Sequence, residues 1–196
     1  ISYKKETSLS NYFPDLKNIF YLNDHDLNLK YEKNILLVNG KGKIKNGNNS
    51  DQIRYFISKN NDDFEFETDL NIKETSIKNH KILKTNFPLS NELIDLKNHK
   101  LKVKYKNNKL YLNGEGGIRF ENGFENIKYF LVKNNNDYEL KTEIDLKNIS
   151  LKNHKYLKDF FPSTKDLLNF KNHKIKIEYK KNFVSFSGKG QIKIDR

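Results

Sequence analysis

The feature that most constrains this chain is an internal repeat of 74 residues. The phrase RYFISKNNDDFEFETDL, which starts at residue 54, returns as KYFLVKNNNDYELKTEI from residue 128. Other landmarks keep the same interval without an insertion, namely Gly40, Gly114 and Gly188, the pairs Phe13-Pro14, Phe87-Pro88 and Phe161-Pro162, and His25, His99 and His173. Self-similarity at a fixed period predicts stacked supersecondary units. We therefore predict one elongated domain over residues 1–196, with repeats at about 1–73, 74–147 and, incompletely, 148–196.

Each repeat is predicted to contain about four antiparallel strands. In HKLKVKYK, Leu101, Val103 and Tyr105 alternate with lysines, which is the period of a strand with one wet face. DYELKTEIDL, which begins at Tyr138, alternates in the same way. Asparagine-rich turns at 106–108, 122–123 and 134–136 separate such segments. The predicted fold class is mostly β, a repetitive antiparallel sheet array that is curved with an apolar inner face.

One segment in each repeat breaks the alternation, at residues 82–98 and again at 156–172. Each contains Phe-Pro followed by a Ser or Thr that could cap a helix. The apolar residues predicted to cover one side of this short helix are Leu93, Ile94 and Leu96, and later Leu167, Leu168 and Phe170. We predict that these segments are short helical or irregular crossovers between repeats.

The glycine-rich phrases NGKGKI, NGEGGI and SGKGQI, which begin at residues 39, 113 and 187, admit more than one interpretation. A phosphate-binding loop needs a helix to follow it, and none is predicted here. Glycine inside a strand marks a bend, a bulge or a close approach by another group. Two interpretations remain open: a sharp bend of the sheet, or a shallow place where a ligand lies against the backbone.

The alternating residues define an apolar surface that must be covered by something. It is either closed by a second sheet, as in a sandwich, or left as an open trough for an apolar ligand. We predict that a trough would carry no charged group, so that a ligand held there would be recognised as a chain. The predicted lining consists of Leu36, Val38, Gly40, Gly42, Ile44, Phe64, Phe66, Leu70, Leu101, Val103, Tyr105, Leu110, Leu112, Gly114, Gly116, Ile118, Tyr138, Leu140, Ile144, Val184, Phe186 and Ile192.

The net charge of +12 invites a nucleic-acid interpretation, but the kind of basic residue argues against it. Arginines occur only at Arg54, Arg119 and Arg196, and the lysines are scattered among acidic residues along the whole chain. Arginine is the residue that reads bases and phosphates with two parallel hydrogen bonds. A scattered mixture of charges is typical of a solvated face. Nucleic acid is therefore an unfavoured partner, and the lysine excess fits an AT-rich genome.

No residue pattern indicates catalysis, a metal site or a cofactor. The chain has no cysteine, which excludes disulfides and thiolate ligands. His25, His99 and His173 recur once per repeat at the predicted entrance to a strand, which indicates a turn position rather than metal ligands. The chain starts at Ile1 and contains no apolar run of about 18 residues. We expect a fragment of a longer parent chain, whose further strands pair at the edges of the sheet.

The succession NGEGGIRF, ENIKYFLVK and NDYELKTEIDLKNISL resembles the repeating AsmA-like domains of bacterial envelope proteins, in particular the YhdP and TamB relatives. The resemblance extends over essentially all 196 residues. It implies a segment of a bridge-like lipid transport protein, anchored in the inner membrane, which carries phospholipid across the periplasm in a hydrophobic β-groove for outer membrane biogenesis. It implies no catalytic residue. The alternative is a structural or adhesive β-repeat array with a self-filled core and no ligand.

Overall fold

A computed structural model describes most of the chain, namely residues 2–4, 19–46, 49–61, 63–79, 89–119, 121, 123–134, 137–153, 158–159, 162–163, 165–181 and 183–193. These residues form eleven strands. The strands are β1 (Ser2–Lys4), β2 (Ile19–Glu32), β3 (Ile35–Asn46), β4 (Asn49–Asn60), β5 (Asp63–Lys78), β6 (Leu93–Lys106), β7 (Lys109–Arg119), β8 (Phe124–Asn134), β9 (Asp137–Lys152), β10 (Leu167–Lys180) and β11 (Phe183–Lys193).

All eleven strands belong to one antiparallel sheet, and their order in space is their order in the chain. Each strand from β2 to β10 pairs with the strand before it and the strand after it, as in a continuous meander. Within the described ranges, no second layer of strands or helices packs on this sheet, and only residues 158–159 are helical. The prediction of a mostly β, antiparallel fold is confirmed.

The alternation of side chains gives the sheet two different faces. Leu101 lies opposite Leu70 on β5 and Gly114 on β7, so residues in register keep the same side across neighbouring strands. We call the face with Leu101 the apolar face. The opposite face carries Lys102 and Lys104, and we call it the charged face.

Short turns join the strands at one end of the sheet, which we call the hairpin end. Lys33 and Asn34 have φ angles of 51° and 66°, and Asn107 and Asn108 have 52° and 59°. Two consecutive residues with positive φ are the signature of the type I′ turn, whose twist suits an antiparallel hairpin. Asparagine adopts this conformation more easily than most residues. The turn predicted at residues 106–108 is therefore confirmed.

Three strands contain a bulge, because one extra residue with positive φ is inserted into the pairing. The bulge residues are Asp24, Asn98 and Asn172, with φ angles of 51°, 52° and 50°. The register of each strand shifts at this point. The following histidine, which is His25, His99 or His173, therefore lies inside a long strand. The prediction that these histidines mark a turn at a strand entrance is wrong.

The predicted crossover helices are also wrong at their C-terminal ends. β6 begins at Leu93 and β10 at Leu167, so the apolar residues assigned to a helix, which are Leu93, Ile94, Leu96, Leu167, Leu168 and Phe170, lie in strands. The bulge explains the error, because it shifts the alternation by one residue and separates these residues from the regular pattern that follows. Within the predicted crossovers, residues 82–88, 156–157, 160–161 and 164 lie outside the described residues.

A compact apolar cluster lies on the apolar face at the end opposite the hairpins. Its buried members are Ile94, Ile118, Leu146 and Ile149, and Ile77, Leu96, Ile127, Ile144, Phe170 and Ile175 pack around them. Complete burial of one such side chain contributes about 1.5–3 kcal/mol to folding. This cluster therefore anchors the central strands and leaves the hairpin end of the same face less covered.

Candidate functional site

The residues predicted to line a trough all lie on the apolar face. Register alignment shows this directly, since Val103 lies opposite Thr68 and Leu112, while Leu140 lies opposite Leu131 and Tyr179. The remaining members of the predicted lining follow the same alternation on β3, β5, β7, β9 and β11. The sequence pattern therefore places these residues on a common surface.

Exposure of this surface varies across and along the sheet. Ile118 is buried in the central cluster, and most of the lining residues are half-buried. Toward the hairpin end, Phe64 and Tyr138 are 42% and 46% exposed, and on β11 Phe186 is 70% exposed. In the part of the chain that the structure describes, no other element covers these side chains. An apolar surface with this extent of exposure is a candidate binding surface.

Aromatic rings cover the glycines of β3 and β7. A Cβ atom added to Gly40 would lie 2.2 Å from the ring of Tyr55, and one added to Gly114 would lie 2.3 Å from the ring of Tyr129. Such distances are far below van der Waals contact, so only glycine fits beneath these rings. Neither a ligand nor a sharp bend accounts for these two glycines, because the approaching group belongs to the neighbouring strand.

The second glycine of each phrase lies beneath a histidine ring. A Cβ atom on Gly42 would lie 2.4 Å from His25, and one on Gly116 would lie 2.4 Å from His99. The bulge residue before each histidine turns its ring across the adjacent strand. The interpretation of these glycines as a shallow place for a ligand is therefore wrong, because a ring of the protein itself fills the space.

The tyrosine and histidine rings also interact with each other. The hydroxyl of Tyr129 lies 3.4 Å from Nδ1 of His99, and Nε2 of His99 donates to the carbonyl of Gly117 at 2.9 Å. Burial lowers the pKa of His99, while its hydrogen bond to Gly117 acts weakly in the opposite direction. Burial also raises the pKa of Tyr129. Both shifts favour neutral rings, so this part of the apolar face carries no charge.

The equivalent arrangement occurs on β2 and β4. The hydroxyl of Tyr55 lies 3.4 Å from Nδ1 of His25, and Nε2 of His25 donates to the carbonyl of Lys43 at 3.1 Å. The ring centroids are 5.9 Å apart for this pair and 6.1 Å apart for His99 and Tyr129. The arrangement in which a tyrosine and a histidine ring lie over two glycines therefore occurs twice in the sheet, at positions 74 residues apart.

The expectation that the apolar face carries no charged residue is wrong. Asp51 and Glu125 lie opposite Ile44 and Ile118, so they belong to this face, and they are 7% and 5% exposed. Asp51 accepts a hydrogen bond from the backbone N–H of Lys73 at 2.8 Å. Glu125 accepts bonds from the N–H groups of residues 147 and 148 at 2.9 and 3.5 Å.

These two carboxylates have a structural explanation. The pairing between β4 and β5 ends at Gln52 and Asn71, and that between β8 and β9 ends at Asn126 and Asp145. The backbone N–H groups just beyond need acceptors, and a carboxylate provides a strong one. Their recurrence at residues 51 and 125, at the start of corresponding strands, was the signal that could have identified them.

The charged face is dominated by cross-strand ion pairs. Lys104 contacts Glu65 and Glu67, and Lys106 lies 2.8 Å from Glu65. Hydrogen bonds from Lys106 and Lys104 lower the pKa of Glu65, and the hydrogen bonds to Glu67 and Glu65 raise the pKa of Lys104. Comparable pairs connect Lys176 with Glu143 and Lys180 with Glu139. Exposed pairs of this kind contribute little to stability, but they balance part of the basic charge.

Two depressions lie on the charged face. The larger has a volume of about 670 Å³ and is lined by charged-face side chains that include Arg54, Glu67 and Lys102. The smaller, of about 310 Å³, includes Asp24 and Gln52. The larger depression extends across strands β2 to β7.

Comparisons with protein-family models, with curated proteins and with solved structures found no match for this chain. Among the described residues, no three His, Asp or Glu side chains come together as a possible metal site. A search of the same residues found no helix with the length and apolar character needed to cross a membrane.

Proposed function

We propose that this chain holds phospholipid acyl chains against its apolar face, as a segment of a bridge-like lipid transport protein. Its location would be the periplasm, between the inner and outer membranes of a bacterial envelope. The observation that carries the proposal is the apolar face itself, which continues across one single-layer sheet and stays half-buried or exposed toward the hairpin end. The sequence resemblance to AsmA-like domains gives additional support.

The chemistry of this face suits an acyl chain. Its aliphatic and aromatic side chains offer contact area, and the His99–Tyr129 pair is held neutral by burial. The two carboxylates on the face, Asp51 and Glu125, are already engaged by backbone N–H groups. An acyl chain gains about 0.8 kcal/mol for each methylene group that leaves water, without any hydrogen bond. Binding should therefore strengthen with the length of the acyl chain, while Lys59 and Lys133, which lie opposite Leu36 and Leu110 on this face, add positive charge at the hairpin end.

The composition of the charged face also supports the proposal. Lysines and acidic residues that alternate in sign keep this face hydrated, so that one side of the sheet suits water while the other suits lipid. This mixture of charges also makes nucleic acid an unfavoured partner. No catalytic role is proposed, and no cofactor is required for holding a chain by apolar contact.

Site-specific photo-crosslinking tests the proposal. A photoreactive residue at Leu112, on the apolar face, should capture phospholipid during expression in a bacterial envelope. The same residue at the adjacent Asn113, on the charged face, should capture much less. Val103 and Lys102 provide a second matched pair, and Leu140 provides a third position on the apolar face. Mass spectrometry of gently purified protein should then identify the bound lipid.

The proposal fails if Leu112, Val103 and Leu140 never label with lipid while the protein keeps its β-rich circular dichroism spectrum. That outcome favours the second candidate, a structural or adhesive β-array whose face is closed by its own side chains. The rings that cover Gly40, Gly42, Gly114 and Gly116 are the observation that favours this alternative. Native mass spectra without lipid would support it further.

A further inference from the structure

The last described strand, β11, repeats the glycine phrase but lacks the covering tyrosine. On β3 and β7, the first glycine lies beneath a tyrosine from the next strand along the chain. At Gly188, the nearest atoms to an added Cβ would be the carbonyl oxygen of Lys174 at 3.4 Å and Cγ1 of Ile175 at 3.7 Å. Both are ordinary contacts, so the space above Gly188 is open among the residues that the structure describes.

The neighbouring histidine has also changed its hydrogen bonds. Nδ1 of His173 donates to the carbonyl of Lys171 on its own strand at 3.0 Å. In His25 and His99, this same nitrogen faces a tyrosine hydroxyl, and Nε2 donates across to the adjacent strand. The ring of His173 still lies over Gly190, where an added Cβ would be 2.3 Å away. The difference between the histidines therefore coincides with the missing tyrosine.

The apolar residues of β11 are exposed where their counterparts on β7 are covered. Ile192 is 52% exposed, whereas Ile118, at the equivalent position, is 6% exposed. Phe186 is 70% exposed, whereas Leu112 is half-buried between β6 and β8. An uncovered edge with apolar side chains is the kind of surface that accepts another strand.

We propose that the free edge of β11 binds an antiparallel strand of the β4 and β8 sequence type, which lays a tyrosine ring over Gly188. The required partner is an extended segment that reads basic residue, tyrosine, phenylalanine and aliphatic residue, as in RYFI from Arg54 and KYFL from Lys128. Its tyrosine would lie opposite Gly188, as Tyr55 lies opposite Gly40 and Tyr129 opposite Gly114. The aliphatic residue two positions later would then lie opposite Phe186.

Strands of the β2, β6 and β10 type do not provide this ring. The residues that lie opposite the first glycine from the preceding strands are Leu27, Leu101 and Ile175, none of which carries a ring. A second molecule that added its β2 strand to β11 would therefore leave Gly188 uncovered. This inference is independent of lipid binding, because it concerns the edge of the sheet and not the occupant of its face.

A synthetic peptide with the sequence of β8, FENIKYFLVKN, provides the test. The labelled peptide should bind the 196-residue chain saturably, as followed by fluorescence anisotropy. A peptide with Tyr129→Ala should bind about tenfold more weakly, a loss of about 1.4 kcal/mol, because it has no ring to lay over Gly188. A scrambled peptide of the same composition serves as the control for nonspecific association.

The protein variant Gly188→Val makes the test specific for this edge. The space above Gly188 admits a side chain in the free protein, so the variant should keep the unfolding midpoint of the wild-type chain. It should lose most of its peptide binding, because the valine would occupy the position of the tyrosine ring. Gly188→Ala adds a smaller side chain and should weaken peptide binding to a lesser extent. It is the second variant to use if valine disturbs the folding of β11.

Register can be checked by disulfide formation, because the chain has no cysteine of its own. In β7 and β8, Asn113 lies opposite Phe130, so Ser187 should lie opposite the same peptide position. Ser187→Cys should form a disulfide with a peptide that carries cysteine at position 130 and not with one that carries it at position 125. Equal binding of the Tyr129→Ala peptide, or full binding by both Gly188 variants, would overturn the proposal.

Discussion

Strands β7 and β11 carry nearly the same pattern and yet differ in burial. β7 reads KLYLNGEGGIR and β11 reads FVSFSGKGQIK, and corresponding positions are 74 residues apart. On β7 the apolar-face residues are half-buried or buried, while the corresponding residues on β11 are exposed. β7 pairs with β6 and β8, whereas β11 pairs with β10 alone among the described strands.

This difference shows that the burial of a strand in this sheet is provided by its neighbours. A residue such as Ile118 contacts side chains from both sides, and a single-layer sheet offers little cover from above. The same alternating pattern is therefore buried when strands flank it on both sides and exposed when only one strand does. Mutations at matched positions of the two strands can test this interpretation.

The largest expected effect on stability is that of a substitution at Ile118. Ile118→Ala removes a buried side chain from the central cluster, and we expect the free energy of unfolding to fall by about 3 kcal/mol. Its counterpart Ile192 is 52% exposed, and Ile192→Ala should cost about 1 kcal/mol or less. Urea denaturation followed by circular dichroism measures both. Equal losses would contradict the view that neighbours provide the burial.

The next largest effect is expected at the covered glycine. Gly114→Ala places a Cβ atom against the ring of Tyr129, so the ring must move, at a cost of about 1–3 kcal/mol. Gly188→Ala meets no such ring and should leave the unfolding midpoint nearly unchanged. The pair can be compared by thermal denaturation. A double variant, Gly114→Ala with Tyr129→Ala, should recover part of the loss if the ring is the cause.

The smallest effect concerns pH and the neutral form of His99. Its pKa in the folded protein lies below the ordinary value of 6.5, because burial disfavours the charged ring. The unfolded chain therefore binds the proton more readily, and the contribution of this group to stability is complete above pH 6.5 and declines as the pH falls. We expect the unfolding midpoint in urea to decrease between pH 7.5 and pH 5.

His99→Gln should reduce that pH dependence and isolate the contribution of this histidine from those of the others. The window also lies above the range in which carboxylates such as Glu65 titrate, since the pKa of Glu65 is lowered from 4.5. His25→Gln is the matched variant at a less buried site. If the two variants change the pH dependence equally, burial of His99 is not the cause.

The alternation of apolar and polar residues correctly predicted the regular strand segments of the sheet. In HKLKVKYK and DYELKTEIDL the apolar side chains fall on every second residue, and these phrases form the continuous strand segments of β6 and β9. Alternation failed before His99, because the bulge at Asn98 changes its phase. An Asn or Asp directly before each of His25, His99 and His173 was the available signal, since these residues favour positive φ.

The apolar face could be predicted as a set of residues, but not as a surface with particular contacts. Alternation assigns Gly40 and Tyr55 to the same side, but only the register of β3 and β4 brings the ring over the glycine. Tyr55 follows Gly40 by 15 positions, and Tyr129 follows Gly114 by the same interval, which indicates a fixed hairpin geometry. Asp51 and Glu125 were missed because they satisfy the backbone and break the apolar pattern.

The strictly sequential order of the strands has a consequence for how this protein can form and change in length. The described strands that are neighbours in space are also neighbours in the chain, so each new strand can add to the one made just before it. Such local connectivity keeps loop closure short and favours rapid folding from any nucleus. Whole blocks of four strands could then be gained or lost during evolution without rearranging those that remain.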